Sequence, residues 1–548
     1  MWPHRKLLTS KLLTSKLLTS ITRLPVLLNI LLTIVVAQIG TTPVTANPVT
    51  APPTGLASNP QGKGLIGQRI TVQQFKVHGS TIFDAWELSN ITQPFEDQTL
   101  TLAELQTAAD AVTQYYFDRG YLTSRAILGD QTIENGIVHI QVIEGQLEGI
   151  EITGNRRVNS KYIQEQINLA GSPLNQENLE NQLRLLKTDP LIGKLEASLK
   201  EGTRLGQTQL SLKITEANPL LASINLDNYG SPAIGTRNLT ALLGTRNLTG
   251  NRDSFLASIT RSTTGGSSLL NLSYQRILNP QQGTLLLRVA PSRYRITEAG
   301  LQDLDITGAS NLYEIAVRQP LIHRPNTELA LSIGMVKRSG QTLISDFLSN
   351  SNATTVLRFG QDWLQRDSGG LWTAQSQFNL GTTQSENRPG GDRQTPFFTW
   401  TGTLQRIQLL SKNHTLMASL GWQLSPDRLP SSQQFNFGGG QSLRGFPLNA
   451  FGGDNGLTFS LENQFTLKRG KTGDPMLQVS PFLDMATSWN QSDTIASEKT
   501  RDLYTSIGVG VTWQPFPKWS LRVDAALPLN AVESGRTLAI YFNSNYRF

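Results

Sequence analysis

The stretch Leu538-Ala539-Ile540-Tyr541-Phe542-Asn543-Ser544-Asn545-Tyr546-Arg547-Phe548 decides the fold. Counting back by twos from Phe548 gives Tyr546, Ser544, Phe542, Ile540 and Leu538; the other parity holds Arg547, Asn545, Asn543, Tyr541 and Ala539. Successive side chains of a strand point to opposite faces, so this segment reads as a strand with one apolar and one polar face. The same dyad recurs upstream. Leu270, Leu272 and Tyr274 alternate with Asn271, Ser273 and Gln275, and Leu285, Leu287 and Val289 with Thr284 and Arg288. Leu416, Ala418, Leu420, Trp422 and Leu424 continue it. From about Leu220 onward only such segments remain, separated by Gly, Pro, Asn and Asp turns. Apolar-out, polar-in dyads are the pattern of a transmembrane β-barrel with a wet lumen. Arg and Glu are tolerated on the inner face but not toward lipid. Residues 218–548, at roughly 20 residues per strand and loop, predict an antiparallel barrel of about 16 strands.

Composition narrows the function. Of 548 residues, 16% are charged and 38% hydrophobic. No stretch after residue 50 is apolar for the roughly 20 residues of a spanning helix. Most of the formal charge of +7 sits in the N-terminal region, where residues 1–46 hold Arg5, Lys6, Lys11, Lys16 and Arg23 and no acid. Subtracting those five leaves +2, with no basic block for nucleic-acid phosphates. There is no cysteine, hence no disulfide, thiolate metal site or Cys nucleophile. The five histidines (His4, His78, His139, His323 and His414) are scattered. No nucleophile elbow, P-loop or His-Glu-x-x-His is present, and the Gly438–Gly440 run is not followed by a helical pattern. The reading is therefore no catalytic residue, no metal and no cofactor.

The first 46 residues read as a secretory signal peptide: a basic region, an apolar run from Leu24 to Val36, then Val44-Thr45-Ala46 as a cleavage signal. A membrane anchor is the alternative, but Pro25, Asn29 and Thr33 interrupt the run. Lys-Leu-Leu-Thr-Ser occurs three times from Lys6 to Ser20, an expanded basic region. Residues 47–68 form a Pro-rich linker.

Residues 69–145 and 146–217 read as two α+β units of β-α-α-β-β order. In the first, Ile70, Val72, Phe75 and Val77 mark a strand closed by Gly79. Leu102, Leu105, Ala108, Ala109, Val112 and Tyr116 mark a one-sided helix, and Ile137 to Ile143 a strand. In the second, Leu147 to Ile152 alternates. Tyr162, Ile163 and Ile167 give one helix, and Leu179, Leu183, Leu185 and Leu186 another before Asp189-Pro190. Leu195 to Leu199 and Leu210 to Ile214 close the unit as strands.

Phe75-Lys76-Val77-His78-Gly79, Ile143-Glu144-Gly145 and Ile150-Glu151-Ile152-Thr153-Gly154-Asn155 resemble polypeptide-transport-associated (POTRA) domains of outer-membrane transporters. The resemblance implies domains that take an extended client segment onto a sheet edge. Phe435-Asn436-Phe437-Gly438-Gly439-Gly440-Gln441-Ser442-Leu443-Arg444-Gly445-Phe446 resembles the loop motif of two-partner secretion transporters, the haemolysin secretion/activation proteins. It implies a loop folded back into the lumen, with Gly438, Gly439, Leu443, Arg444, Gly445 and Phe446 as its working residues. Pro481-Phe482-Leu483-Asp484-Met485-Ala486 resembles the family's Phe-x-Asp-x-Gly wall motif, with Ala486 in place of Gly and Leu443 in place of the usual Val. Phe482 and Asp484 then stand as partners of Arg444. Parity agrees: Leu477, Val479 and Leu483 share one face, and Gln478, Ser480, Phe482 and Asp484 the other. The terminal strand, with Phe542, Tyr546 and Phe548, resembles the signal read by the outer-membrane assembly machinery.

Further stretches resemble the family. Asp227-Asn228-Tyr229-Gly230-Ser231 is read as opening the barrel and Gly250-Asn251-Arg252-Asp253 as a hairpin turn. Gln319 to Pro325 precedes a strand from Leu329 to Gly334. Gly-Thr-Arg-Asn-Leu-Thr at 235–240 and 244–249 is read as a hairpin duplication. Together they imply an outer-membrane pore of a diderm bacterium that captures an unfolded exoprotein in the periplasm and secretes it. The expected partners are a β-helical exoprotein with an N-terminal secretion domain, the assembly machinery and outer-membrane lipids. An assembly factor that inserts other barrels and a solute porin are the rival readings.

Overall fold

The computed structural model describes residues 69–385, 394–491, 502–530 and 537–548. The signal peptide and linker expected at 1–46 and 47–68 lie outside them. The described residues divide into two compact units, 69–218 and 219–548.

In the N-terminal unit the first α+β fold keeps the expected strand, helix, helix, strand, strand order, with one further short strand, Gln98–Leu100, between its helices. The expected single strand from Ile70 to Val77 is two: Ile70–Val72 pairs with Gln98–Leu100, and Gln74–His78 pairs with Ile137–Ile143 in a three-stranded sheet completed by Arg125–Ile127. A helix that the periodicity did not disclose, Ala85–Thr92, is capped by Asp84, whose carboxylate accepts from the Glu87 N–H at 2.7 Å. Leu102–Asp118 starts at a capping box of Thr101 and Glu104 and buries Leu105, Ala108, Ala109, Val112 and Tyr116.

The second fold has helices Ser160–Asn168 and Gln176–Thr188 on a sheet ordered Gln146–Thr153, Gln207–Glu216, Ile192–Glu201. The last of these is an edge strand, and all its residues from Glu196 to Glu201 are exposed. The two folds are joined by the Leu174 N–H to Gly145 O bond at 2.7 Å and the Gln176 N–H to Gly120 O bond at 2.9 Å.

Glu216 ties this second fold together. Its Oε1 accepts the N–H groups of Arg156, Arg157 and Val158 at 2.7, 2.7 and 2.8 Å. Burial opposes the charge, but the three N–H donors outweigh it and hold the carboxyl below its usual range. A depressed pKa contributes stability above the unfolded value, about 4.3 for Glu, that is lost as pH falls through the folded one. Glu216→Gln is expected to cost about 1–2 kcal/mol at pH 7 and to flatten the loss of stability below pH 4. Helix melting of the full chain, followed by circular dichroism from pH 7 to 3, checks this; parallel pH profiles for both proteins would refute it.

In the C-terminal unit one antiparallel sheet closes on itself as a barrel of 16 strands. The fifth strand is interrupted between Thr284–Val289 and Ser292–Arg295, both halves pairing with the same neighbours. Pro291 lies in the break, where a missing N–H cannot join the ladder. The barrel begins at Leu220, so Asp227 ends the first strand rather than opening it. The duplicated hexapeptide flanks and overlaps both ends of one strand, Asn238–Arg246, and is not a hairpin. Pro320 lies inside Ile306–His323, at a bulge, and the following strand is Thr327–Ile344. The parity predicted from the dyads holds: Ile259, Leu270, Leu287, Leu420 and Ile540 are exposed on the outer face, whereas Asn271, Ser480, Asp484 and Tyr541 are buried within.

Closure joins Ala539–Arg547 to Leu220–Asp227 through five register pairs, Asn543↔Asp227 to Arg547↔Ser223. Asn228 extends the seam: its Oδ1 accepts the Phe542 N–H at 2.7 Å and its Nδ2 donates to Ile540 O at 2.9 Å.

Candidate functional site

Between His414–Leu424 and Asn455–Arg469 the chain makes a long excursion, residues 425–454, instead of a tight turn. Its root is pinned by Asp454, whose carboxylate accepts the N–H groups of Leu429 and Gln491, each at 2.9 Å. A two-stranded ribbon, Phe435–Phe437 with Phe451–Gly453, stiffens it. Beyond the ribbon, Gly438 and Gly439 have φ of 118° and 85°, conformations that residues with a Cβ rarely adopt. The turn they permit is closed by the Gly439 N–H to Phe446 O bond at 2.9 Å.

This turn delivers Arg444 to the barrel wall. Its Nε donates to Asp484 Oδ2 at 2.7 Å and its Nη2 to Asp484 Oδ1 at 2.8 Å, a bidentate fork. Nη1 donates to Glu462 Oε2 at 3.1 Å. The guanidinium lies over the Phe482 ring, 3.2 Å from its centroid. Ser460 Oγ donates to Asp484 Oδ1 at 2.7 Å. Room for the Phe482 ring comes from Gly508 on the next strand, where a Cβ would stand 2.3 Å from it.

Five wall residues of the cluster, Ser460, Glu462, Arg522, Asp524 and Tyr541, were not singled out in the sequence as part of the site. Arg522 donates to both Glu462 oxygens at 2.9 Å and to Asp524 Oδ1 at 2.7 Å. Two cations thus face three carboxylates, and Arg444 Nη1 is 3.6 Å from Asp524. Tyr541 accepts the Gly445 N–H at 3.1 Å and donates to Phe446 O at 3.0 Å. A signal was available: Arg522 and Asp524 are two apart on one strand, as are Ser460 and Glu462, so each pair shares a face.

Apolar packing provides a second attachment. Phe437, Leu443 and Phe446 are almost fully buried with Phe435 and Ala486, against Phe451 and Tyr504. Phe451 and Tyr504 stack with centroids 3.7 Å apart. Elsewhere the lumen wall carries paired charges, Arg288 and Arg358 on Glu314 and Arg318 on Glu328 and Asp362.

The structure therefore brings Gly438, Gly439, Leu443, Arg444, Gly445 and Phe446 together with Phe482 and Asp484. Phe542, Tyr546 and Phe548 lie apart, on the terminal strand and its end. Tyr546 and Phe548 are exposed and meet edge to face, 5.0 Å between centroids.

Residues 206–513 match the family model of the haemolysin secretion/activation protein ShlB/FhaC/HecB, and residues 70–145 that of the ShlB-type POTRA domain. The chain is 26% identical over 419 residues to the outer membrane transporter CdiB of Escherichia coli, covering 74% of this chain and 70% of that one. It is 22% identical over 462 residues to the heme/hemopexin transporter protein HuxB of Haemophilus influenzae (strain 86-028NP), covering 81% and 80%. The solved structure of CdiB from Escherichia coli superposes with a TM-score of 0.68 at 22% identity, covering 91% of this chain and 94% of that one.

Proposed function

The chain belongs to the haemolysin secretion/activation protein family, and from that premise we propose how its lumenal loop governs passage of a client. It is an outer-membrane pore of two-partner secretion, with its N-terminal domains in the periplasm, and its partner is a secreted exoprotein. The bidentate grip of Arg444 on Asp484 carries the reading of the site. A buried charge pair with two directed hydrogen bonds is costly to break on one side only. The loop therefore has two discrete arrangements, docked and released, and release opens the lumen.

The domains divide as 69–145 and 146–217 for client capture and 218–548 for passage, behind a signal peptide at 1–46 and a linker at 47–68. The client arrives unfolded. Its N-terminal secretion domain is held in extended form by backbone hydrogen bonds on a POTRA sheet edge. The exposed edge Ile192–Glu201 supports this. The client then folds outside as a β-helix, which biases passage outward without ATP. Phe542, Tyr546 and Phe548 serve recognition by the outer-membrane assembly machinery. No catalytic residue, cofactor or metal enters the scheme.

Comparative proteomics of the medium and cell surface, in a deletion strain against its parent, tests the reading. Loss of one or two large exoproteins with other barrels unchanged is the expected result. A broad fall in barrel proteins would point instead to an assembly factor.

A further inference from the structure

Four arginines stand on the outer face of the barrel near one end of its first five strands. Arg237 precedes Asn238–Arg246, Arg261 lies in Ser254–Ser262, and Arg293 and Arg295 lie in Ser292–Arg295. All four are exposed. Their direction follows from parity. Thr240 and Thr260 hydrogen-bond to each other at 2.9 Å on the lumenal side. Tyr294 is buried, its hydroxyl 2.8 Å from that of Thr342. The odd-numbered residues of these strands therefore face outward.

The register makes the four a patch. Arg261 and Arg293 are both opposite Ser268, one on each side, so their Cα atoms are about 10 Å apart, two strand spacings. The Arg237 carbonyl accepts the Thr263 N–H, and the Arg295 N–H donates to Gly266 O, which sets both next to that row. Acids are few nearby. Arg295 Nε lies 3.4 Å from Asp305 Oδ1, with both side chains well exposed, and Glu298 and Asp303 sit in the same connection, 296–305. Among the described residues Arg237, Arg261 and Arg293 have no ion-pair partner.

The patch begins where the lipid-facing surface stops. On the same face Leu239, Leu243, Phe255, Ile259 and Leu270 are exposed, and Leu239 is directly opposite Arg261. The first strand starts at Leu220, following the periplasmic domains, so connections after the first, third and fifth strands lie at the outer surface. Arg237, Arg261, Arg293 and Arg295 all border those connections. A guanidinium at this depth needs an anionic partner, and a phosphate takes its planar fork through two parallel hydrogen bonds.

We propose that Arg237, Arg261, Arg293 and Arg295 form a docking surface for the phosphate groups of an outer-leaflet glycolipid. The inference rests on the outer-membrane location and not on the loop mechanism. The test titrates diphosphorylated lipid A, as the probe, into the purified full chain in detergent and counts bound lipid by native mass spectrometry. Arg261→Gln combined with Arg293→Gln is expected to weaken binding about tenfold, with Arg261→Lys and Arg293→Lys retaining most of it. Lys337→Gln, another exposed outward cation, should leave binding unchanged. Heat-modifiable migration on gels verifies that each barrel is closed. Equal binding by the double Gln variant, an equal loss with Lys337→Gln, or full competition by millimolar inorganic phosphate would each overturn the proposal.

Discussion

Arg444→Ala is expected to raise the ionic conductance of the barrel in planar bilayers and to lower export of the client at least tenfold, with barrel levels unchanged. The guanidinium is one of the cluster's two cations, and without it Asp484, Glu462 and Asp524 face Arg522 alone. Removing one side of such a buried pair costs about 3–5 kcal/mol, enough to make the docked loop a minor state. Arg444→Lys keeps the charge but loses the fork to Asp484 and the stacking on Phe482, so an intermediate conductance is expected. Asp484→Asn should resemble Arg444→Ala, and the double variant should be no worse than either, since the two act as one unit. Wild-type conductance and export from Arg444→Ala would sink the lumenal-lock reading.

Phe437→Ala tests the other attachment. Its ring is fully buried among Phe435, Phe451 and Tyr504, and deleting an aromatic ring from such a site costs about 3–5 kcal/mol. The expected result is an open, noisy channel in which Arg444 and Asp484 are both still present. Proteolysis of the purified barrel should then cut within 425–454, where the wild type resists. If conductance and cleavage stay at wild-type levels, the ring packs without holding the loop.

The sequence disclosed faces better than partners. Alternation alone placed Asp484 and Phe482 inside and Ile540 and Leu270 outside, because the face of a strand residue depends only on its parity. Which wall residues meet Arg444 depends on register and on barrel shear. Ser460 is paired with Asp484, and Gly510 with Asp524, by strand offsets that no local pattern encodes. The helix Ala85–Thr92 escaped notice for another reason. It buries only Leu88 and Thr92 fully, too few for a visible period. The strand Ile306–His323 ran through Pro320 because a bulge there absorbs the missing donor.

The seam between Ala539–Arg547 and Leu220–Asp227 bears on the order of assembly. Its five register pairs join segments more than 300 residues apart, so it is the most non-local pairing of the barrel and the one with the largest closure entropy. The strand Ala539–Arg547 thus completes the pairing of the first strand. A polypeptide lacking that strand keeps the other hairpins but has no ring, and it exposes two unpaired ladders where the closed barrel has none. Closure of the ring is thereby made conditional on that one strand, and the most distant pairing of the barrel decides whether a ring exists at all.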